Sequence, residues 1–378
     1  MCIRDSSWIH QENILEVLKD SSKLLPEVRK YLEDENDYFS HQMSDTKEIQ
    51  KVLFDEIKGR IKLDDESLPF KDVRYSYWTK TTTKGNYSIK LRKKIDSDEI
   101  EEIWNGDLEK AKLKTEYFGL GDLEVSYNDK LLAYSLDLKG SEYYTIHIRD
   151  IKSREQVGEK IENTSGGITF SLDDKYIFYS KLDDNHRPRE IYRHEIGAPT
   201  SKDILIFKEV SEAFTVGIGL SSDEKYFFIT SSDHNTSEQY YFKADEIIPK
   251  PKLIDKRKRG IMYSVNSWNG NFYKHTNEDA EDFKIEKTND LEKKEWETFI
   301  PAREEVLIGG LIFLNDWIIR SETSNALSKL ILRNPKNDEE EEIFFSDEKV
   351  IVPGVSLLSL IHISEPTRQA EIAYAVFC

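Results

Sequence analysis

Residues 171–181 read SLDDKYIFYSK, and the chain nearly repeats them twice. Residues 126–135 are SYNDKLLAYS, and residues 221–230 are SSDEKYFFIT. Each copy joins a polar turn of the form S-x-D/N-D/E-K to a dense apolar run. Ser, Asn and Asp hold tight turns because their side chains bond the neighbouring backbone. Aligned on the residue before each run, the series continues through Lys130, Lys175, Lys225, Asn271 (before FYKHT) and Asp316 (before WIIRS), at intervals of 45, 50, 46 and 45 residues. VRYSYWTKT, from Val73, is an earlier and more degenerate copy. Behind each run comes a polar loop and then an alternating strand: YTIHIRDI, REIYRHEI, QYYFKADE, FKIEKTN and KLILRN.

A period of about 40–50 residues built from short strands marks a β-propeller blade. A small four-stranded sheet has two apolar faces and cannot bury them alone; radial stacking buries both. The predicted fold is therefore all-β, a β-propeller over residues 69–356. The repeated turn is expected to feed an inner strand whose apolar residues lie between neighbouring blades. A solenoid needs a shorter repeat and a sandwich needs none. Five blades are clear and the copy at Val73 suggests a sixth. A closed ring calls for more, so the chain is expected to be incomplete.

Ahead of the strands, residues 8–68 have helical periodicity. Ile14, Leu15 and Leu18 share a face, and Pro26 can open a helix whose stripe is Val28, Tyr31, Leu32, Glu35 and Phe39. Asp45 and Glu48 have capping-box spacing. Ile49, Val52, Leu53 and Ile57 form the next stripe, ending near Gly59. Such faces either pack on one another or await a domain outside this chain. Residues 1–7 and 357–378 depart from the rest: the tail loses charge density and periodicity. Both resemble translated sequencing-adapter readthrough, and a disordered native tail is the alternative. They are left out of the fold reasoning, together with Cys2, Cys378 and His362.

Charge and cysteine usage narrow the function classes. The 378 residues carry 54 Lys and Arg against 72 Asp and Glu, a net −18. That field disfavours nucleic acid and anionic membranes and favours cationic partners. The two cysteines sit at the extreme ends, so the body has no disulfide framework or cysteine metal site. No run approaches the roughly 18 apolar residues of a membrane span, and no signal-peptide layout precedes the helices. A cytoplasmic protein is expected.

Catalytic motifs were sought residue by residue. There is no G-x-S-x-G: GLSSD at 219–223 has only its first half and reads as a blade turn at Ser221, and GVSLL at 354–358 runs into the foreign tail. There is no H-E-x-x-H, Walker loop or G-x-G-x-x-G. GIG at 217–219 reads as a bulge or close packing. His147, His186, His194, His234 and His275 lack ligand spacing and read as structural or solvated loop residues. DKRKRG (255–260) reads as a solvated interblade loop, NDEEEE (337–342) as a charged hairpin tip, and ENTSGG (162–167) as a polar loop or turn near the propeller mouth. No catalytic, cofactor-binding or metal-binding residue is assigned, and no cofactor is expected.

Several stretches together resemble the N-terminal half of the oligopeptidase B branch of the prolyl oligopeptidase family of serine peptidases. They are NILEVLKDSSKLLPEVRKYLEDENDYF (13–39), KLLAYSLDLKGSEYYTIHIRDI (130–151), IENTSGGITFSLDDKYIFYSKLDDNHRPREIYRHEIG (161–197), FTVGIGLSSDEKYFFITSSDHNTSEQYY (214–241), RGIMYSVNSWNGNFYKHTNEDAEDFKI (259–285) and FIPAREEVLIGG (299–310). The most specific part is ENTSG followed by RPREIYRH. The resemblance implies a seven-bladed propeller, incomplete here, that caps a C-terminal α/β-hydrolase domain supplying Ser, His and Asp for acyl transfer. It implies short cationic peptides cut after Arg or Lys, with opening helices packed on that domain. No catalytic residue can be carried onto this chain, which is expected to be inactive alone. A stand-alone propeller binding module and a prolyl-specific oligopeptidase are the alternatives.

Overall fold

The computed structural model describes residues 7–246 and 248–343, and in it the repeated turn closes the same way three times. The Ser171 hydroxyl donates to Asp173 Oδ1 at 2.7 Å and accepts the Tyr176 amide at 3.0 Å, while Asp173 Oδ1 takes the Lys175 amide. Ser126 with Asn128, and Ser221 with Asp223, repeat these contacts. The next residue, Asp129, Asp174 or Glu224, has φ of 61°, 56° or 57°, a left-handed turn that Asp enters more readily than most residues.

Each turn joins the first and second strands of a four-stranded antiparallel blade, and the described residues form six blades. Blade I has a split first strand, Asp65–Glu66 and Phe70–Lys71, then Tyr75–Thr81, Ile89–Lys94 and Ile100–Asn105. Blades II and III merge into one 7-stranded sheet: Gly119–Val125, Leu131–Asp137, Tyr144–Asp150, Ile161–Phe170, Tyr176–Leu182, Pro188–Glu195 and Ile204–Lys208. Blade IV is Thr215–Leu220, Tyr226–Ser232, Ser237–Lys243 and Lys252–Leu253. Blade V is Tyr263–Trp268, Asn271–Thr276, Lys284–Thr288 and Glu297–Ile300. Blade VI is Leu307–Phe313, Ile318–Ser324, Leu327–Arg333 and Glu340–Glu342. The predicted propeller is thus the fold.

The apolar runs are the second strands, inner strands of their blades as expected. First strands of successive blades touch one another, Gly119–Val125 against Ile161–Phe170 and the latter against Thr215–Leu220, so they lie nearest the axis. The second strand is hydrogen-bonded on both edges and covered on both faces, which is why its opening positions form an apolar run. Its residues alternate between neighbours. Leu132 and Leu136 meet Trp104 of blade I, while Ala133 meets Ile177 and Tyr179 of blade III. Phe178 packs with Phe227 of blade IV, Phe228 with Phe272 of blade V, and Tyr273 with Phe313 of blade VI. Full burial of a side chain such as Phe227 or Ile229 contributes roughly 2 kcal/mol.

Two expectations are corrected. ENTSGG is strand, not loop: the start of Ile161–Phe170 pairs with Tyr144–Asp150 and its end with Tyr176–Leu182. The strand changes partner at Gly166, φ +98°, where a Cβ would approach the Tyr144 ring to 3.0 Å. Its paired glycines mark that handover. In NDEEEE only the first residues form the tip; Glu340–Glu342 is the outer strand of blade VI, and Glu340 accepts Arg320 at 2.7 Å and Arg333 at 2.7 Å.

The N-terminal segment forms α1 (Ile14–Lys19), α2 (Pro26–Gln42) with Pro26 in its first position, and α3 (Lys47–Gly59). The buried Gln11 joins them, donating to the Lys23 carbonyl and accepting the Leu25 amide. The capping box at Asp45 does not form. Thr46 precedes α3 and makes no side-chain cap, because its hydroxyl donates back to the Met43 carbonyl at 2.7 Å. Phe39, Val52, Phe54 and Ile57 are 59–62% exposed, so apolar side chains on more than one face of α2 and α3 stand open among the described residues. A fourth helix, α4 (Gly106–Leu113), was not foreseen and links blades I and II. Cys2, Cys378, His362 and the segment 357–378 lie outside the described residues.

Candidate functional site

The first strands hold glycine where a sheet near an axis has room to spare. In Thr215–Leu220, Val216, Ile218 and Leu220 pack toward blade III, and Gly217 and Gly219 take the opposite face. Both are exposed, and a Cβ on either would meet no atom within 4 Å. Gly167 and Gly310, in the first strands of blades III and VI, are equally open. The expected bulge or close packing at GIG is therefore wrong. The strand pairs with Tyr226–Ser232 without a register shift, and its period of two aims both glycines into open space.

Carboxylates gather where these strands run into the repeated turns. Asp122 Oδ2 accepts the Ile168 amide of blade III at 2.9 Å. Two residues on, Glu124 has no hydrogen bond or ion pair among the described residues. Burial, aided by Asp122, pushes its carboxyl up to about 8. The Tyr127 side chain is partly exposed, and its hydroxyl is held above its ordinary range by burial of that group and then by Glu224, Glu124, Asp174 and Asp72. Burial also raises Asp174, although its oxygens accept the Tyr127 and Asn128 amides of blade II at 2.7 Å each. Similar stitches bind Asp129 to Arg74 (2.5 Å) and Tyr77 (3.0 Å) of blade I, and Asp223 to Ser267 of blade V at 2.9 Å.

At the opposite end lie the hairpins between second and third strands. There Lys139 Nζ reaches the Lys19 carbonyl at 3.2 Å, and the Lys19 ammonium sits 4.6 Å over the Tyr143 ring. The N-terminal helices thus meet the propeller at this end. DKRKRG is an interblade connection here, as expected, but Arg257 is not solvated. It lies 2.7 Å from Glu209 and 2.8 Å from Glu238, both buried, with its guanidinium 4.0 Å from the Phe214 ring.

The histidines are corrected too. His147, His194 and His275 sit on strands rather than in loops. His147 stacks on Tyr134, and burial pulls it down to about 4. His194 is fully buried, 2.7 Å from Asp203, which also accepts the Tyr179 hydroxyl at 2.9 Å. His275 Nε2 lies 2.7 Å from the Ile308 carbonyl of blade VI. His194 and His275 have polar partners from outside their own strand and His147 an aromatic one, none of which a spacing rule reveals. Among the described residues no His, Cys, Asp or Glu group converges as metal ligands would. Ser221 belongs to its turn, bonded to Asp223. No helix among the described residues is long and apolar enough to cross a membrane.

The sequence matches the family profile described as the prolyl oligopeptidase N-terminal β-propeller domain over residues 17–377. It is 27% identical over 360 residues to dipeptidyl aminopeptidase BI of Pseudoxanthomonas mexicana, covering 90% of this chain and 49% of that protein. To protease 2 of Moraxella lacunata it is 28% identical over 303 residues, covering 75% and 44%. Its fold superposes on oligopeptidase B from Leishmania major with a TM-score of 0.80 at 19% identity, covering 90% of this chain and 48% of the other. The chain spans about half the length of the curated relatives it matches. With interlocked blades, opening helices and a family match that takes in both, the chain belongs to the prolyl oligopeptidase family of peptidases and carries its N-terminal β-propeller.

Proposed function

We propose that this propeller is the substrate-admitting part of a cytoplasmic serine oligopeptidase that cleaves short peptides after Arg or Lys, completed in cis by a C-terminal α/β-hydrolase domain. Three features support this reading. The family match covers only about half of the relatives, which leaves room for that domain to bring the nucleophile, base and acid. The exposed apolar side chains of Phe39, Val52, Phe54 and Ile57 suit burial against it. The helices contact the propeller at the end away from the repeated turns, so the hydrolase domain is proposed to dock there.

The observation that carries the substrate preference is the gathering of carboxylates at the turn end, Asp122 on the Ile168 amide, Asp174 on the Tyr127 and Asn128 amides and Asp129 on Arg74, beside first strands opened by Gly217 and Gly219. Carboxylates focused in a concave, partly desolvated place raise the local concentration of cationic peptide. Backbone-lined openings admit a single extended chain and turn away folded domains. The test is the complete enzyme assayed with fluorogenic Arg, Lys and Pro substrates across ionic strength. Arg and Lys substrates are expected to be preferred, with kcat/KM falling as salt rises. A Pro preference would assign the prolyl-specific branch instead, and a flat salt response would remove the electrostatic role.

A further inference from the structure

A cleft of about 470 Å3 opens between blades IV and V, lined by Phe214, Arg257, Arg259 and the hairpin at 233–236. That hairpin joins second and third strands, as does the one Lys139 and Tyr143 occupy, so the cleft lies at the end where the helices attach. Its back wall is built and rigid. Glu209 accepts the Ser231 hydroxyl at 2.5 Å and the Ser211 amide at 2.7 Å; Glu238 accepts the Tyr240 hydroxyl at 2.8 Å and the Arg257 amide at 3.0 Å. Both acids hold Nη2 of Arg257. Its Nε and Nη1 have no partner among the described residues. Neither does the exposed guanidinium of Arg259. Asp233 accepts the Asn235 and Thr236 amides through Oδ1 alone, leaving Oδ2 open.

Charge decides what such a cleft can take. Arg257, Arg259, Asp233 and His234 line the cleft while Glu209 and Glu238 lie buried behind Arg257, and counted without His234 the two guanidinium groups and three carboxylates leave a formal balance of −1. A simple anion meets a site of its own sign, and a simple cation leaves the free donors of Arg257 and Arg259 unused. A ligand bearing one carboxylate and at least one positive group satisfies both, with its aliphatic stem against Phe214. We propose that the cleft binds the carboxy-terminal residue of short basic peptides, with the α-carboxylate on Arg257 and Arg259 and the cationic side chain on Asp233. This deepens the oligopeptidase reading and rests on it, because cleavage after Arg or Lys releases peptides that end in this way. The cleft is then a product or exit site, apart from the axial opening.

The experiment is calorimetric titration of the 378-residue chain with Gly-Gly-Arg, with its carboxy-terminal amide and with Gly-Gly-Gly. Gly-Gly-Arg is expected to bind more tightly than its amide by roughly ten-fold, the weight of one charge-assisted hydrogen bond. Arg259→Ala should shrink that difference several-fold, with Arg257 keeping the remainder, and Asp233→Asn should erase the advantage over Gly-Gly-Gly. Neither variant should move the unfolding midpoint, since Arg259 has no partner to lose and Asn can still cap the turn. Equal binding of acid and amide, no binding at millimolar peptide, or an unchanged Arg259→Ala would overturn the proposal. Failure of the cleavage reading is seen separately: a complete enzyme that ignores Arg and Lys substrates refutes that reading while carboxylate-dependent binding of Gly-Gly-Arg still stands.

Discussion

The two ends of this propeller are held together by different means. At the turn end the repeat stitches itself: Asp129 reaches blade I, Asp174 reaches blade II and Asp223 reaches blade V. At the helix end the repeated device stays inside each hairpin, where Asp137, Asp183 and Asp233 each accept amides from residues two to four further on, and the contacts that reach beyond a blade are individual ones. Arg257 is clamped once, between Glu209 and Glu238, and Lys19 covers Tyr143 once. A repeated device serves the ring wherever it occurs, so it reports architecture. A singular one reports something particular to its place, and the proposed docking and product sites both fall at the singular end.

The sharpest way to break that contrast is to compare one staple from each end. Arg257→Ala leaves Glu209 and Glu238 buried without their cation, and loss of one partner from a buried ion pair costs about 3–5 kcal/mol. Urea unfolding should show a loss of that size, and Arg257→Lys should recover part of it. Asp174→Ala removes the acceptor of two amides that water can partly serve, a cost of about 1–3 kcal/mol. If the turn-end variant proves the more damaging, the repeated stitches rather than the singular clamp govern stability, and the contrast is reversed.

The same division explains what could be read from the sequence. The S-x-D/N-D/E-K turn and the apolar run are local, so their spacing alone predicts blades. That the run is a second strand depends on which edges it pairs, and Phe227 and Phe228 facing opposite neighbours follows only once blades IV and V are in place. Gly217 and Gly219 were misread because a missing side chain is equally consistent with a bulge, a close approach or open space. Arg257 was hidden in a run of like charges, its partners lying 48 and 19 residues away. His194 and Asp203 are close in sequence, yet nothing marks them as buried. Glu124 reads as ordinary strand alternation in GDLEV. Only its surroundings make it unusual.

Glu124 gives a pH test of the axial reading. Its folded value is raised from 4.5 to about 8, so folding favours the neutral carboxyl. That contribution is full below the unfolded value and is lost as pH rises through about 8. Glu124→Gln should therefore match the parent only below about pH 4.5, pull ahead as pH rises to about 8, and exceed it in midpoint by several degrees at pH 9. In the complete enzyme, the parent should gain affinity for cationic peptides over the same rise in pH, and the variant should not. A variant that is equally stable at every pH would mean the carboxyl is solvated, and Tyr127 would then no longer mark a desolvated mouth.

The smallest effect on stability is expected where the effect on traffic is largest. Gly217 is exposed, its strand is in regular register, and a side chain there would meet no neighbour. Gly217→Leu should change stability by no more than about 0.5 kcal/mol, the range of surface substitutions. It even removes some chain entropy from the unfolded state. If the space it fills is the passage for substrate, kcat/KM of the complete enzyme should fall for long peptides and hold for dipeptide-sized ones, because a narrowed opening slows entry without touching the chemistry. A uniform loss across lengths would point to a disturbed fold, which the unfolding curve would show. No loss at any length would mean that peptides enter elsewhere, by separation of the two halves at the helix end, and the singular contacts there would become the gate.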